Sequence, residues 1–151
     1  MSTEISSATL NVVCPHCDTG NRVPRKRLAD EPRCGACKAP LFDAHPVALG
    51  ASAFRHHVAS SDLPLVVDFW APWCAPCRSM APVFERAARE FEPHARFAKV
   101  NTDEEQDLAK SLNIRSIPTL AIFRGGKEIA RTSGAMDESR FVAWARSHLQ
   151  A

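Results

Sequence analysis

Residues 63–77 read LPLVVDFWAPWCAPC and place two cysteines shortly after an apolar run. The run at 63–70 is rich in β-branched residues, which predicts a strand buried on both faces of a sheet. Cys74 and Cys77 follow, and apolar residues then recur at helical spacing to about Phe91. The stretch therefore predicts a strand-to-helix junction with a cysteine pair at the start of the helix.

The chain from His45 onward alternates between strand-like and helix-like segments. Its apolar periodicity predicts the order β-α-β-α-β-α-β-β-α, with a hairpin around the glycine pair at 125–126. Ser52 is the predicted N-cap of the first helix, and Asp137 is the predicted N-cap of the last. We expect an α/β fold, a central mixed β-sheet flanked by helices.

Composition restricts the class of protein. The chain has 151 residues, a formal net charge of +2 and 45% hydrophobic residues. The near-neutral charge argues against a nucleic-acid or membrane-surface role. The N-terminus lacks the basic and apolar regions of a signal peptide, and no run approaches the ~20 apolar residues of a membrane span. We expect a cytoplasmic protein without membrane partners, in which paired cysteines are more often metal ligands or redox groups than structural disulfides.

Four of the six cysteines lie near the N-terminus, as two CxxC pairs separated by sixteen residues. They are Cys14, Cys17, Cys34 and Cys37. This spacing is typical of a four-cysteine zinc site, whereas two local disulfides would each close only a tiny loop. So short a segment also needs a metal or cross-links to fold. We expect a zinc-ribbon domain over residues 1–43 with one structural Zn²⁺, and a second domain over residues 44–151.

A basic run at 25–27 raises the question of nucleic-acid binding. Residues 1–45 carry six Lys or Arg and five Asp or Glu, a charge of +1. Four thiolates with Zn²⁺ add −2, which leaves about −1. No aromatic residue interleaves the run to stack on bases, so we expect no nucleic-acid partner.

The third pair, Cys74 and Cys77, has no second pair near it in sequence. A helix N-terminus stabilises a thiolate, so the pKa of Cys74 is expected to lie below that of a free cysteine. Cys77, one turn further on, is expected to be more buried and more often protonated. Two unlike thiols suit dithiol–disulfide exchange, in which one attacks and the other resolves the mixed disulfide.

Four blocks extend this interpretation to most of the chain. VVDFWAPWCAPC, FAKVNTD, IRSIPTL and SGA resemble, in order and spacing, the signature blocks of the thioredoxin family. With the N-terminal cysteines included, the chain resembles the zinc-binding cytosolic thioredoxins of bacteria. The resemblance implies a monomeric protein-disulfide reductase that acts on disulfide-containing proteins. It also implies that an NADPH-fed thioredoxin reductase restores the dithiol, with no cofactor needed for catalysis.

The resemblance also implies roles for individual residues in catalysis. Cys74 is the attacking thiolate and Cys77 is the resolving thiol. Asp68 is a buried acid that accepts the Cys77 proton through water, with a pKa raised by burial. Lys99 pairs with Asp68 and tunes that pKa.

A substrate groove is implied as well. Pro118 matches a cis-proline that faces the cysteines. Ile117, Gly134 and Ala135 surround Trp73 with it, in an apolar groove that pairs with the backbone of an extended substrate. These five residues are therefore the predicted substrate contacts.

Several points stay open at the level of sequence. Ala75 stands where the commonest family motif has glycine, which leaves the redox potential undetermined. The histidines at 56, 57, 94 and 148 are expected to be scattered over the surface. An oxidant or isomerase is an alternative within redox chemistry. A zinc-regulated redox sensor, or a chaperone-like binding module on the same scaffold, is the alternative from a different class.

Overall fold

Two β-sheets of different size organise residues 8–149, the part of the chain that the computed structural model describes. The small sheet contains β1 (Thr9–Val13) and β2 (Gly20–Pro24), followed by a 3₁₀ turn at Arg25–Arg27. The remaining elements, in chain order, are β3 (Val47–Ala48), α1 (Ala51–Ser60), β4 (Leu65–Trp70), α2 (Ala75–Phe91), β5 (Arg96–Asn101), α3 (Gln106–Ser111), β6 (Thr119–Arg124), β7 (Lys127–Ser133) and α4 (Glu138–Leu149). The predicted element order and the mixed α/β architecture are confirmed. Within these residues, no helix is both long and apolar enough to span a bilayer.

The larger sheet has the strand order β3-β5-β4-β6-β7, with β4 in the centre. β4 runs parallel to β5 and antiparallel to β6. Alternate residues of a strand face opposite sides, so Val66 packs against α2 and α4 while Val67 packs toward α1 and α3. Because both faces are covered, every residue of β4 from Leu65 to Phe69 is buried. This burial explains why the strand is apolar apart from Asp68.

Helix α2 turns one apolar face to the sheet. The stripe predicted for it is buried, and its members are Met80, Val83, Phe84, Ala87 and Phe91. Phe84 lies between the rings of Phe97 and Phe141, with ring centres 5.1 and 5.8 Å away. This packing fixes the helix against β5 and α4, and so fixes the helix start that carries Cys77.

The cysteine-rich segment, residues 8–43, has its own hydrophobic cluster, which reaches the rest of the protein just before β4. Its buried residues include Leu10, Val12 and Leu28, and Leu63, which precedes β4, belongs to the same cluster. Asp62 Oδ2 accepts the Asn11 backbone N–H at 2.7 Å. The contact therefore lies beyond the N-terminal end of β4, whereas Cys74 follows the C-terminal end of that strand.

Two sequence predictions at helix α1 are wrong. The helix begins at Ala51 with Gly50 as its N-cap, and the cap comes from a distant side chain: Glu105 Oε1 accepts the Ala51 N–H at 2.9 Å. Ser52 therefore does not cap it. His57 is only 1% exposed, because it lies under the cysteine-rich segment with its Nε2 3.2 Å from Asp18 Oδ1. Burial lowers the pKa of His57.

The cap of α4 agrees with the prediction. Asp137 Oδ1 accepts the backbone N–H of Arg140 at 2.9 Å, which satisfies one of the free donors of the first turn. This bond lowers the pKa of Asp137.

Candidate redox site and metal centre

The dithiol pair lies where β4 passes into α2. Cys74 is the N-cap of α2, and its Sγ accepts the backbone N–H of Cys77 at 3.2 Å. The two cysteines are joined by a disulfide and are 4% and 2% exposed. In the reduced state the same N–H and the positive end of the helix dipole favour a thiolate at Cys74. The two cysteines therefore differ in one respect, because Cys74 accepts this backbone hydrogen bond and Cys77 donates it.

A second chain segment closes over the pair. The Ile117–Pro118 peptide bond is cis, and the Ile117 carbonyl oxygen lies 3.7 Å from Cys74 Sγ. Gly134 donates its N–H to the Pro118 carbonyl oxygen at 2.9 Å, which ties the end of β7 to the same loop. The structure therefore brings Ile117, Pro118 and Gly134 together beside Cys74. Ala135 is exposed next to Gly134.

Trp73 forms the exposed side of this region. Its side chain is 68% exposed, which is unusual for so large an apolar group. Its Nε1 donates to Asp103 Oδ1 at 3.2 Å, and this bond holds the indole in one orientation. Asp103 belongs to one of the quoted sequence blocks, but no pattern in the sequence connects it with Trp73.

Asp68 lies behind the pair, on the α2 face of β4. Its side chain is fully buried, and neither carboxylate oxygen has a hydrogen-bond partner among residues 8–149. Burial raises the pKa of Asp68 to about 7, and the charge of Lys99 opposes that rise. An unpartnered buried carboxyl group is costly to keep and is characteristic of functional sites.

Lys99 lies beside Asp68 in the parallel register of β4 and β5. Its Nζ is 4.7 Å from the centre of the Trp70 ring, a cation–π contact. In the described residues no ion pair within 4 Å joins Lys99 to Asp68. Lys99 therefore acts on the acid through space rather than through a bond.

The other four cysteines converge on one point. The Sγ atoms of Cys14, Cys17, Cys34 and Cys37 all lie within 4.8 Å of one another. The Cys14–Cys37 and Cys17–Cys34 Sγ distances are 3.7 and 3.6 Å. Sulfur ligands about 2.3 Å from a tetrahedral ion are ~3.8 Å apart, so these distances fit one metal centre.

Donors around the centre act unequally on its two buried cysteines. Cys34 Sγ accepts from the N–H of Cys37 and from Asn21 Nδ2, both at 3.5 Å, and these bonds lower the pKa of Cys34 to about 6. Burial raises the pKa of Cys14 to about 12. Metal binding must therefore release the Cys14 proton. No sequence pattern pointed to Asn21, whose Oδ1 also accepts the Gly35 N–H at 2.8 Å.

A cysteine pair at a strand-to-helix junction, faced by a cis-proline loop, is the arrangement of a thiol–disulfide oxidoreductase. The family model for thioredoxin matches residues 45–147, and a model described as "Thioredoxin 2, N-terminal" matches residues 13–39. The chain belongs to the thioredoxin family.

Individual relatives agree with this assignment. The chain is 40% identical over 139 residues to Thioredoxin C-3 of Corynebacterium nephridii, a match that covers 92% of this chain and 95% of that protein. It is 45% identical over 98 residues to Thioredoxin 1 of a Nostoc species, covering 65% and 92%. Among solved structures, a mutant thioredoxin from Halobacterium salinarum superposes with a TM-score of 0.65 at 28% identity, covering 73% and 96%. A Malassezia sympodialis thioredoxin superposes at 0.62 and 33%, covering 68% and 89%.

Proposed function

We propose that this thiol–disulfide oxidoreductase is a protein-disulfide reductase that works through Cys74 and Cys77. The observation that carries the proposal is the position of Cys74 Sγ, which accepts an N–H of α2 and lies 3.7 Å from the Ile117 carbonyl oxygen. Its reaction partners are disulfide-containing proteins, and an NADPH-fed thioredoxin reductase of the cytoplasm restores the dithiol. The protein acts as a monomer.

The first half of the reaction forms a mixed disulfide. The Cys74 thiolate attacks one sulfur of the substrate disulfide, and that S–S bond breaks. The other substrate sulfur leaves as a thiolate and takes a proton from solvent. Exposed Trp73 and the loop at Ile117–Pro118, with Gly134 and Ala135 beside it, provide the surface on which the substrate backbone rests.

The second half releases the product. Asp68 accepts the proton of Cys77 through an intervening water, and its pKa of about 7 makes it a base near neutral pH. The Cys77 thiolate attacks Cys74 Sγ, and the bond from Cys74 to the substrate breaks. The substrate sulfur that was bonded to Cys74 leaves as a thiolate. The oxidised product is a Cys74–Cys77 disulfide, the form that the structure contains. Lys99 adjusts the acidity of Asp68 through its charge.

For the cysteine-rich N-terminal segment we propose one structural zinc ion held by Cys14, Cys17, Cys34 and Cys37. The Sγ spacing fits Zn–S bonds of about 2.3 Å, and four thiolates are the ligand set of structural zinc. Four protein ligands leave no open coordination position, so the ion would hold the segment together. The proposal divides the chain into a zinc-ribbon domain, 1–43, and a thioredoxin domain, 44–151.

Insulin reduction tests the redox proposal. The protein should reduce insulin in the presence of NADPH and thioredoxin reductase, and Cys74→Ser should abolish this activity. Ser79→Ala is the control, because Ser79 is exposed on α2, the helix that begins after Cys74, and this variant should keep its insulin reductase activity. Full activity of Cys74→Ser would remove Cys74 as the nucleophile. Cys77→Ser should accumulate mixed disulfides, which mass spectrometry would identify as the substrates.

A redox sensor is the second candidate, because Cys17 and Cys37 are exposed to oxidants. Their oxidation would expel the metal and unfold the cysteine-rich segment, which would change substrate choice or expose a chaperone-like surface. Insulin reduction and client binding that stay unchanged after peroxide-driven metal release would contradict this hypothesis.

A further inference from the structure

Arg96 is a buried cation whose partners come mostly from outside its own sheet. It is the first residue of β5 and is 2% exposed. Its backbone N–H pairs with the Pro64 carbonyl oxygen, as expected at a strand start. A buried guanidinium requires partners for its charge and donors, so the identity of those partners shows what the residue stabilises.

Two of the three partners belong to the cysteine-rich segment. Nη2 of Arg96 donates to the carbonyl oxygen of Val13 at 3.2 Å, and the guanidinium carbon lies 4.7 Å from the centre of the Phe42 ring. Val13 immediately precedes Cys14, the more deeply buried residue of the first cysteine pair. The bond therefore fixes the peptide that carries a metal ligand.

The third partner, Glu92, is held by the residue that directly follows the cysteine-rich segment. Its Oε2 is 3.7 Å from Arg96 Nη1, beyond hydrogen-bond distance, and both side chains are 3% exposed. Its Oε1 accepts the Ala44 N–H at 3.1 Å. Glu92 thus contacts the chain just after the cysteine-rich segment. The Glu92–Arg96 pair therefore involves a third part of the chain, besides the end of α2 and the start of β5.

A bound metal ion would give Arg96 a second interaction. Four thiolates around a divalent ion carry a net charge of −2, and the Arg96 guanidinium donates to the residue next to one of these ligands. Charges and donors around metal ligands hold those ligands in place and tune the site.

We propose that Arg96, a residue of the thioredoxin sheet, is a positioning residue of the N-terminal metal site. It orients Cys14 through the Val13 carbonyl group and compensates the charge of the thiolates. The inference rests on the proposed zinc site, and it makes zinc retention depend on a residue 59 positions beyond the last ligand, Cys37.

Zinc release from the full chain tests this assignment. Excess chelator with a chromogenic zinc indicator would give the release rate for the wild type, Arg96→Lys and Arg96→Met. Removing partners of metal ligands typically lowers metal affinity 10-fold or more, so we expect Arg96→Met to release zinc about 10-fold faster than the wild type. The release rate of Arg96→Lys should lie between those of the wild type and Arg96→Met. Arg124→Met is the matched control, because Arg124 Nη2 also donates to a backbone carbonyl, that of Leu149. It should release zinc at the wild-type rate.

A stability measurement separates positioning from general packing. Arg96→Met should reduce the difference between the Tm of the zinc-loaded protein and the Tm of the zinc-free protein. If Arg96 only contributed to packing, the substitution would lower these two Tm values equally. Equal lowering, or a wild-type release rate, would overturn the inference. Wild-type protein that contains no zinc would instead refute the zinc proposal itself.

The wild type provides a test if Arg96→Met does not fold. NMR signals of the Arg96 guanidinium should shift and exchange faster when zinc is removed, while those of Arg124 stay the same. An Arg96 signal unaffected by zinc removal would overturn the inference.

Discussion

Replacing Asp68 with asparagine should stabilise the oxidised protein, and more so at high pH. The pKa of Asp68 rises from 3.8 to about 7 on folding, mainly because the group is buried. The folded state therefore holds a proton that the unfolded state gives up between these values. The stability associated with that proton is complete below pH 3.8 and is lost as the pH rises through 7.

The size of the effect follows from the shift. One pKa unit corresponds to about 1.36 kcal/mol, so the raised pKa of Asp68 lowers the free energy of unfolding by ~4 kcal/mol at pH 8 and ~1.6 kcal/mol at pH 5. An asparagine side chain at this position would keep a similar shape without the charge. We expect Asp68→Asn to gain stability relative to the wild type, by ~2–3 kcal/mol more at pH 8 than at pH 5.

Urea unfolding of the oxidised proteins at both pH values provides the measurement. At each pH the difference in free energy of unfolding between variant and wild type cancels the contributions of the other titrating groups, including the four N-terminal cysteines. Asp30→Asn, at an exposed position, is the control and should show no such dependence. A stability difference that does not change with pH would refute the reasoning. In the reduced state the same variant should resolve mixed disulfides more slowly, since it lacks the base for Cys77.

Other predictions concern the metal site, a helix cap and the core. Cys14→Ser should lose bound zinc, measured by atomic absorption, yet keep most of its insulin reductase activity; loss of that activity in a folded variant would contradict the division into two domains. Glu105→Ala should remove the cap of α1 at Ala51 and lower the free energy of unfolding by ~1 kcal/mol, measured with urea. Phe84→Ala should cost ~3–5 kcal/mol by leaving a cavity between α2, β5 and α4; a cost below ~1 kcal/mol would contradict tight packing there.

The sequence predicted the fold well where the signal is local and strong. The apolar run of β4 and the helical stripe of α2 each reflect burial of one continuous element, so periodicity alone located their junction. The cysteine pairs were readable for the same reason, since each pair occupies one turn. Their spacing matched that of a zinc site, and the structure places all four Sγ atoms within 4.8 Å of one another.

Contacts between distant parts of the chain were not readable. His57 is buried because Asp18, 39 residues away, lies against it, and α1 is capped by Glu105 rather than by adjacent Ser52. The burial of His57 and the cap of α1 both depend on tertiary contacts, which no local sequence pattern encodes. Lys99 lies beside Asp68 and lowers its pKa through its charge, but no pattern in the sequence indicated that its ammonium lies over the Trp70 ring.

The central strand β4 separates the two kinds of sulfur in this molecule. The cysteine-rich segment meets the sheet before Leu65, and Cys74 follows beyond Trp70, so six residues at about 3.3 Å each place ~20 Å between the two regions. Thiol–disulfide exchange requires sulfurs in direct contact. Cys74 and Cys77 are therefore held too far from the four N-terminal cysteines to exchange with them, so disulfide scrambling among the six cysteines would require the molecule to unfold.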